Sequence, residues 1–255
     1  MINVRALVAE AVGTFVLIGV GSLGIASAVI VGGQNAGVLV ILLIVPFAFG
    51  LGLLGAIAIA GDVSGGHFNP AVTLAAVLDN RLRWTTGIAY AVAQAVGAFA
   101  ASLFIQLVLS ADFVRATVNQ PGPIGQSPLD QQLHAFSVEI VLTAVFVAVI
   151  LTVTAKRPQA ALFVIPLTLV AIHYAGIPIS GASVNPIRSL APAIISGTYD
   201  GLWVYVTAPF LGAIIGWGLF RLFNPADDEG AGDADEYDDD EDDDLDVDDE
   251  ELEPA

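Results

Sequence analysis

The sequence predicts an all-α membrane protein with six transmembrane helices, two re-entrant half-helices and an inverted internal repeat. Three observations carry this. Six apolar runs are long enough to cross a bilayer, which takes roughly 20 helical residues. One polar phrase is written twice, "SGGHFNPAVTLA" from Ser64 and "SGASVNPIRSLA" from Ser180, with six of the twelve positions identical. Basic residues gather at the N-terminus and at every second connection between the apolar runs.

Composition divides the chain into two materials. The 255 residues are 56% hydrophobic, far above an ordinary soluble domain. The formal net charge of −18 is concentrated at one end: residues 226–255 hold nineteen acidic side chains and no Lys or Arg. Residues 1–225 carry 8 basic and 7 acidic groups and form the membrane body. The acidic tail lacks the apolar side chains for a core and is expected to be disordered. This charge excludes a nucleic-acid partner. The absence of cysteine excludes disulfides and thiolate metal sites, and no metal or cofactor is expected. The first apolar run is too long for a cleavable signal.

The six spans are read as Ala6–Val31, Val38–Ala60, Trp84–Ser110, Ala135–Ala155, Ala160–Gly176 and Leu202–Phe223. Arg5, Arg81, Arg83, Lys156, Arg157 and Arg221 fall on one side of them, which places that side and both termini in the cytoplasm. Arg115 belongs to a long opposite loop containing "NQPGPIGQSP", and Arg188 lies inside the second phrase. The repeat extends past the phrase. "AEAVGTF" around Glu10 is echoed by "VEIVLTA" around Glu139, and "YAVAQAVGA" from Tyr90 by "YVTAPFLGA" from Tyr205. The halves, about 5–110 and 134–223, each hold three spans and one phrase. Three is odd, so the second half enters the membrane from the other side.

Each phrase reads as the start of a short helix. Asn69 and Asn185 are favoured N-caps, and Pro70 and Pro186 occupy the favoured first helical position. The run from Ala71 to Leu78 is too short to span. Inverted symmetry sends one half-helix in from each face, so the two Asn-Pro steps are expected to meet near the midplane. The Gly-rich residues before each Asn cannot be regular helix. In lipid such backbone is tolerated where it lines a wet cavity. The carbonyls of Gly65, Gly66 and His67, and of Gly181, Ala182 and Ser183, are therefore expected to line a pore.

These motifs resemble those of the aquaporins, the major intrinsic protein family, over about Arg5 to Phe223. "SGGHFNPAVTLA" matches the family's first Asn-Pro-Ala box (Asn69, Pro70, Ala71), and the second (Asn185, Pro186, Ile187) departs by Ile in place of Ala. The resemblance implies a passive water channel that excludes ions and protons, with water as the permeant, the lipid bilayer as surroundings and a homotetramer in the cell membrane. By spacing from each Asn it implies a selectivity filter of Phe49, His173, Ala182 and Arg188, the combination of the water-selective branch. Glycerol-conducting relatives place an aromatic and a glycine where this chain has Phe49 and His173, and commonly follow the filter Arg with Asp where Ser189 stands. His173 and Arg188 are expected to offer donors to water, and Asn69 and Asn185 to orient a passing molecule. The two half-helix ends, about +0.5 charge each at ~5 Å and effective ε ~20, repel a cation by roughly 3 kcal/mol, so Arg188 and desolvation must add the rest. The resemblance assigns Glu10 and Glu139 a structural role, accepting backbone N–H groups of the two loops.

Rival readings are a glycerol or small neutral-solute facilitator of the same fold, a proton-coupled transporter working through Glu10 and Glu139, and an intramembrane hydrolase using Ser64 and His67. No Gly-x-Ser-Gly box and no organised base support the hydrolase, so the chain is read as a non-enzyme. The acidic tail fits the salt-rich cytosol of a halophilic archaeon.

Overall fold

A computed structural model describes residues 3–33 and 37–225. The acidic tail lies outside the described residues. Nine helices are present among those described: α1 (Val4–Gly32), α2 (Val38–Ser64), α3 (Pro70–Leu78), α4 (Trp84–Val108), α5 (Ala111–Ala116), α6 (Pro128–Lys156), α7 (Pro158–Ser180), α8 (Pro186–Ser196) and α9 (Leu202–Phe223). Six of them, α1, α2, α4, α6, α7 and α9, are long and apolar enough to span a bilayer.

The helices depart from the hydropathy reading at several places, α2 among them, which runs to Ser64 rather than Ala60. α6 begins at Pro128, seven residues before Ala135, because Ser127 caps it by accepting the Asp130 N–H (3.2 Å) and Pro128 takes the first helical position. α7 runs to Ser180 rather than Gly176, passing through Pro166 and Pro178 and ending on Gly181 in the left-handed conformation (φ 82°). The long loop after the third span carries a one-and-a-half-turn helix, α5, that hydropathy does not mark.

The two halves pack by the same rule. α1 contacts α2 and α4, and α6 contacts α7 and α9. Matching glycines set a close approach in each half. A Cβ on Gly97 of α4 would collide with the Ala11 carbonyl of α1, and one on Gly212 of α9 would stand 2.7 Å from Thr143 Cβ of α6. Across the pseudo-two-fold axis, α2 meets α7. Each half-helix packs against an outer helix of the other half, α3 on α9 and α8 on α4.

A clasp closes one end of the bundle. Arg81, just after α3, donates from Nε to Asp79 (2.7 Å), from NH1 to Thr154 Oγ1 (2.7 Å) and from NH2 to the Leu151 carbonyl (3.1 Å). Arg221 of α9 lies 3.6 Å from the other oxygen of Asp79, and Trp217 Nε1 donates to it at 3.3 Å. Two of the basic residues that the sequence assigns to one face, Arg81 and Arg221, thus tie α3, α6 and α9 together there.

Candidate functional site

The two phrases fold into matching loops held by buried carboxylates. Glu10 Oε1 accepts from Ser64 Oγ (2.6 Å) and the His67 N–H (3.0 Å). Its Oε2 accepts from the Phe68 N–H (2.7 Å) and Gln94 Nε2 (2.7 Å). Glu139 Oε1 accepts from Ser180 Oγ (2.7 Å) and the Ser183 N–H (2.7 Å), and its Oε2 from the Val184 N–H (2.8 Å). Both carboxylates are fully buried and are occupied in fixing backbone. The bonded segments need that support. Phe68 (φ 46°), Ala182 (φ 51°) and Val184 (φ 45°) are non-glycine residues in left-handed backbone, a costly state for a β-branched side chain.

The half-helices meet N-terminus to N-terminus through the two asparagines. Asn69 Oδ1 caps α3 by accepting the Ala71 N–H (2.9 Å), while its Nδ2 donates to the Val184 carbonyl (2.8 Å). Asn185 does the converse, capping α8 at the Ile187 N–H (3.2 Å) and donating to the Phe68 carbonyl (3.0 Å). One amide proton of each is spent across the interface. One remains, and both asparagines line the central cavity.

That cavity, ≈ 640 Å³, runs from the Arg81–Thr154 end of the bundle past both asparagines to Phe49, His173 and Arg188. Gly65, Gly66, His67 and Ser183 border it. Gly181 and Ala182 do not: the Gly181 carbonyl accepts from Asn119 Nδ2 (2.9 Å), and Ala182 packs beside Gly176 of α7. Ile187 is buried beneath the loop and is likewise absent from the cavity wall.

Three of the four expected filter positions, Phe49, His173 and Arg188, converge on one stretch of the cavity wall. The Phe49 ring stacks on His173 with centroids 4.7 Å apart, and the Arg188 guanidinium carbon lies 4.9 Å from the same Phe49 ring. His173 Nδ1 faces the Leu169 carbonyl at 2.8 Å. A carbonyl can only accept, so Nδ1 carries the proton and Nε2 of the neutral ring is an acceptor. With Nδ1 turned to Leu169, the expected donation from His173 to water requires a second proton, at Nε2. His173 Nε2 and Arg188 Nε are buried with no protein partner, and both residues pack on the Phe49 ring.

Sequence reasoning missed Asn119. Its Oδ1 accepts from Arg188 NH1 and from Ser189 Oγ (2.7 Å), and Arg188 NH1 also donates to the Thr117 carbonyl (2.9 Å). A long loop to which the sequence reading assigned no role therefore orients the buried Arg188. Ser183 Oγ, 2.6 Å from Ser189 Oγ, extends the network back to the Glu139-bound loop. The Ser64–His67 hydrolase pair does not assemble. Ser64 donates to Glu10, and His67 Nδ1 lies 3.1 Å from Thr73 Oγ1.

Six apolar spans, two half-helices meeting at capped asparagines and a continuous internal cavity define a multi-pass membrane channel of inverted-repeat design. The family model for the major intrinsic proteins matches residues 1–220, and the chain belongs to that family of membrane channels for water and small solutes. It is 38% identical over 229 residues to Aquaporin Z of Photorhabdus laumondii, covering 86% of this chain and 96% of that one. It is 36% identical over 230 residues to a Glycerol uptake facilitator protein-like 6 of Lactiplantibacillus plantarum, covering 88% and 100%. The aquaglyceroporin of Plasmodium falciparum shares the fold at a TM-score of 0.74 and 24% identity, over 87% of this chain and 97% of that one.

Proposed function

We propose that this chain is a passive water channel with Phe49, His173, Arg188 and the Ala182 loop as its selectivity filter. The observation that carries the reading is the Phe49–His173 stack, with the Arg188 guanidinium on the same Phe49 ring, in the cavity wall. A molecule passing there meets the Nε2 acceptor of His173 and the Nε donor of Arg188, and water satisfies both at once. At the midplane, the free amide protons of Asn69 and Asn185 donate to the same water oxygen, which turns its hydrogens outward and breaks a proton relay. Arg188 and the two half-helix ends repel cations. Glu10 and Glu139 are engaged by loop N–H groups, which supports structural roles over proton coupling.

The basic face, with both termini, is assigned to the cytoplasm, and the channel to the cell membrane as a homotetramer of 1–225 bodies. The acidic residues 226–255 are read as a solubilising tail suited to the salt-rich cytosol of a halophile.

The second reading, a glycerol facilitator, draws on the 36% identity to a relative named for glycerol uptake. Stopped-flow light scattering of proteoliposomes separates the two. Fast shrinkage under a sucrose step with near glycerol-tightness is expected. Glycerol entry as fast as through a glycerol facilitator would overturn the filter assignment. The double variant Phe49→Trp with His173→Gly is expected to admit glycerol by opening the stack.

A further inference from the structure

Between α6 and α9 the second repeat lacks a group that the first repeat has. In the first, Gln94 of α4 donates to Glu10 Oε2 (2.7 Å) and Thr73 Oγ1 (2.9 Å). The register that pairs Tyr90 with Tyr205 pairs Gln94 with Pro209. Proline brings no side-chain donor. Lacking an N–H, it also leaves the Tyr205 carbonyl without its partner in the helix.

Two further groups are stranded at the same contact. Thr14 donates to the Glu10 carbonyl (2.7 Å), but its counterpart, Thr143, is buried with Oγ1 unpartnered. Tyr90 donates to the Ser64 carbonyl (2.9 Å), but the Tyr205 hydroxyl is buried and unpartnered. Glu139 accepts three hydrogen bonds where Glu10 accepts four.

The packing brings these groups onto facing surfaces. Glu139 and Thr143 are one turn apart on α6. Tyr205, Pro209 and Gly212 share one face of α9, and that face packs on α6 through Gly212 against Thr143 and Tyr205 against Ala135. Glu139, Thr143, Tyr205 and Pro209 are all absent from the cavity wall. Buried polar groups in such numbers are satisfied by protein or by internal water, and an internal water takes two to four polar partners.

We propose that one resident water molecule is bound between α6 and α9, off the permeation path. It donates to the Glu139 carboxylate and bonds the Tyr205 and Thr143 hydroxyls, in the place that the Gln94 amide fills in the first repeat. The site is independent of which solute the channel conducts.

The test is a crystal structure of the full chain at a resolution where other internal waters are visible. A density peak within roughly 3 Å of Glu139 and of at least one of Tyr205 Oη and Thr143 Oγ1, separate from the water file in the cavity, is expected. Pro209→Gln is expected to lose the peak and place its amide there. The wild-type map decides the matter if that variant does not fold. An empty region, with Tyr205 and Thr143 bonded instead to protein carbonyls as Tyr90 and Thr14 are, overturns the proposal. So does a peak continuous with the cavity water.

Discussion

The two asparagine loops are the same device built twice, and their differences separate the parts that hold the chain from those that bring charge to the cavity wall. In both, a buried glutamate binds the N–H groups just before the asparagine, a serine closes the turn, and the asparagine caps its own half-helix while donating to the other loop. Those shared parts hold strained backbone in place. The unshared parts sit around them. Val72 of the first copy becomes Arg188 in the second, and Thr73 becomes Ser189, which turns to Asn119 instead of to Gln94. The charged clasp of Asp79 and Arg81 has Ile195 and Gly197 as its counterparts. The scaffold is symmetric, while Arg188, the charge beside Phe49 and His173, belongs to one copy.

The largest effect should come from the shared device. Glu10→Gln and Glu139→Gln each replace a carboxylate oxygen by an amide that points a donor at backbone donors. Hydrogen bonds to a buried charge contribute about 1.5–3 kcal/mol each, so either variant should lose on the order of 3 kcal/mol or more. Thermal unfolding in detergent reads this, together with water flux per folded protein. Severe loss from one variant and none from the other would break the equivalence of the two loops.

Arg188→Val makes the second copy match Val72 of the first and is the next largest change, this time in selectivity. A unit charge ~5 Å from a cation at effective ε ~20 is worth roughly 3 kcal/mol, or about a hundredfold in exclusion. Proton or cation leak, measured with a pH-sensitive dye trapped in the vesicles, should rise by up to that factor while the protein stays folded. An unchanged leak would move the charge barrier elsewhere.

The repeated phrase made the two asparagine caps legible from sequence, because capping and helix-start preferences are local and act within three residues, while the role of Glu10 and Glu139 came from the family resemblance alone. Asn119 was not legible. Its partners Arg188 and Ser189 are about seventy residues away, and nothing in "NQPGPIGQSP" marks which polar residue turns inward. The His173 tautomer also escaped the sequence, since it depends on the Leu169 carbonyl one turn earlier. The true start of α6 at Ser127-Pro128 was written in capping signals that a hydropathy window passes over.

Asn119→Ala sharpens the contrast at intermediate strength. It keeps Arg188 but removes the oxygen that orients it, along with the tie to Gly181. Glycerol or urea permeability should rise several-fold, by less than for the double variant at Phe49 and His173. The stability cost should be about 1–2 kcal/mol from the lost hydrogen bonds. Selectivity unchanged from wild type would show that the Thr117 carbonyl alone sets the arginine.

The smallest expected effect falls at Pro209 and is measured against Gln94, a position that the repeat makes equivalent and the chemistry does not. Gln94→Ala takes a donor from Glu10 and from Thr73, both buried, and should cost about 1–3 kcal/mol. Pro209→Ala removes no side-chain hydrogen bond. It restores an N–H that can reach the Tyr205 carbonyl, and relieves the clash that proline imposes on the preceding turn. Against that stands the loss of the ring's packing in a buried position. The two terms oppose each other, so the net change should stay within about 1 kcal/mol, well below that at Gln94. Thermal unfolding of the pair under one set of conditions measures the difference directly. Equal losses at both positions would mean that Pro209 fixes the second repeat as firmly as Gln94 fixes the first, by packing rather than by hydrogen bonding.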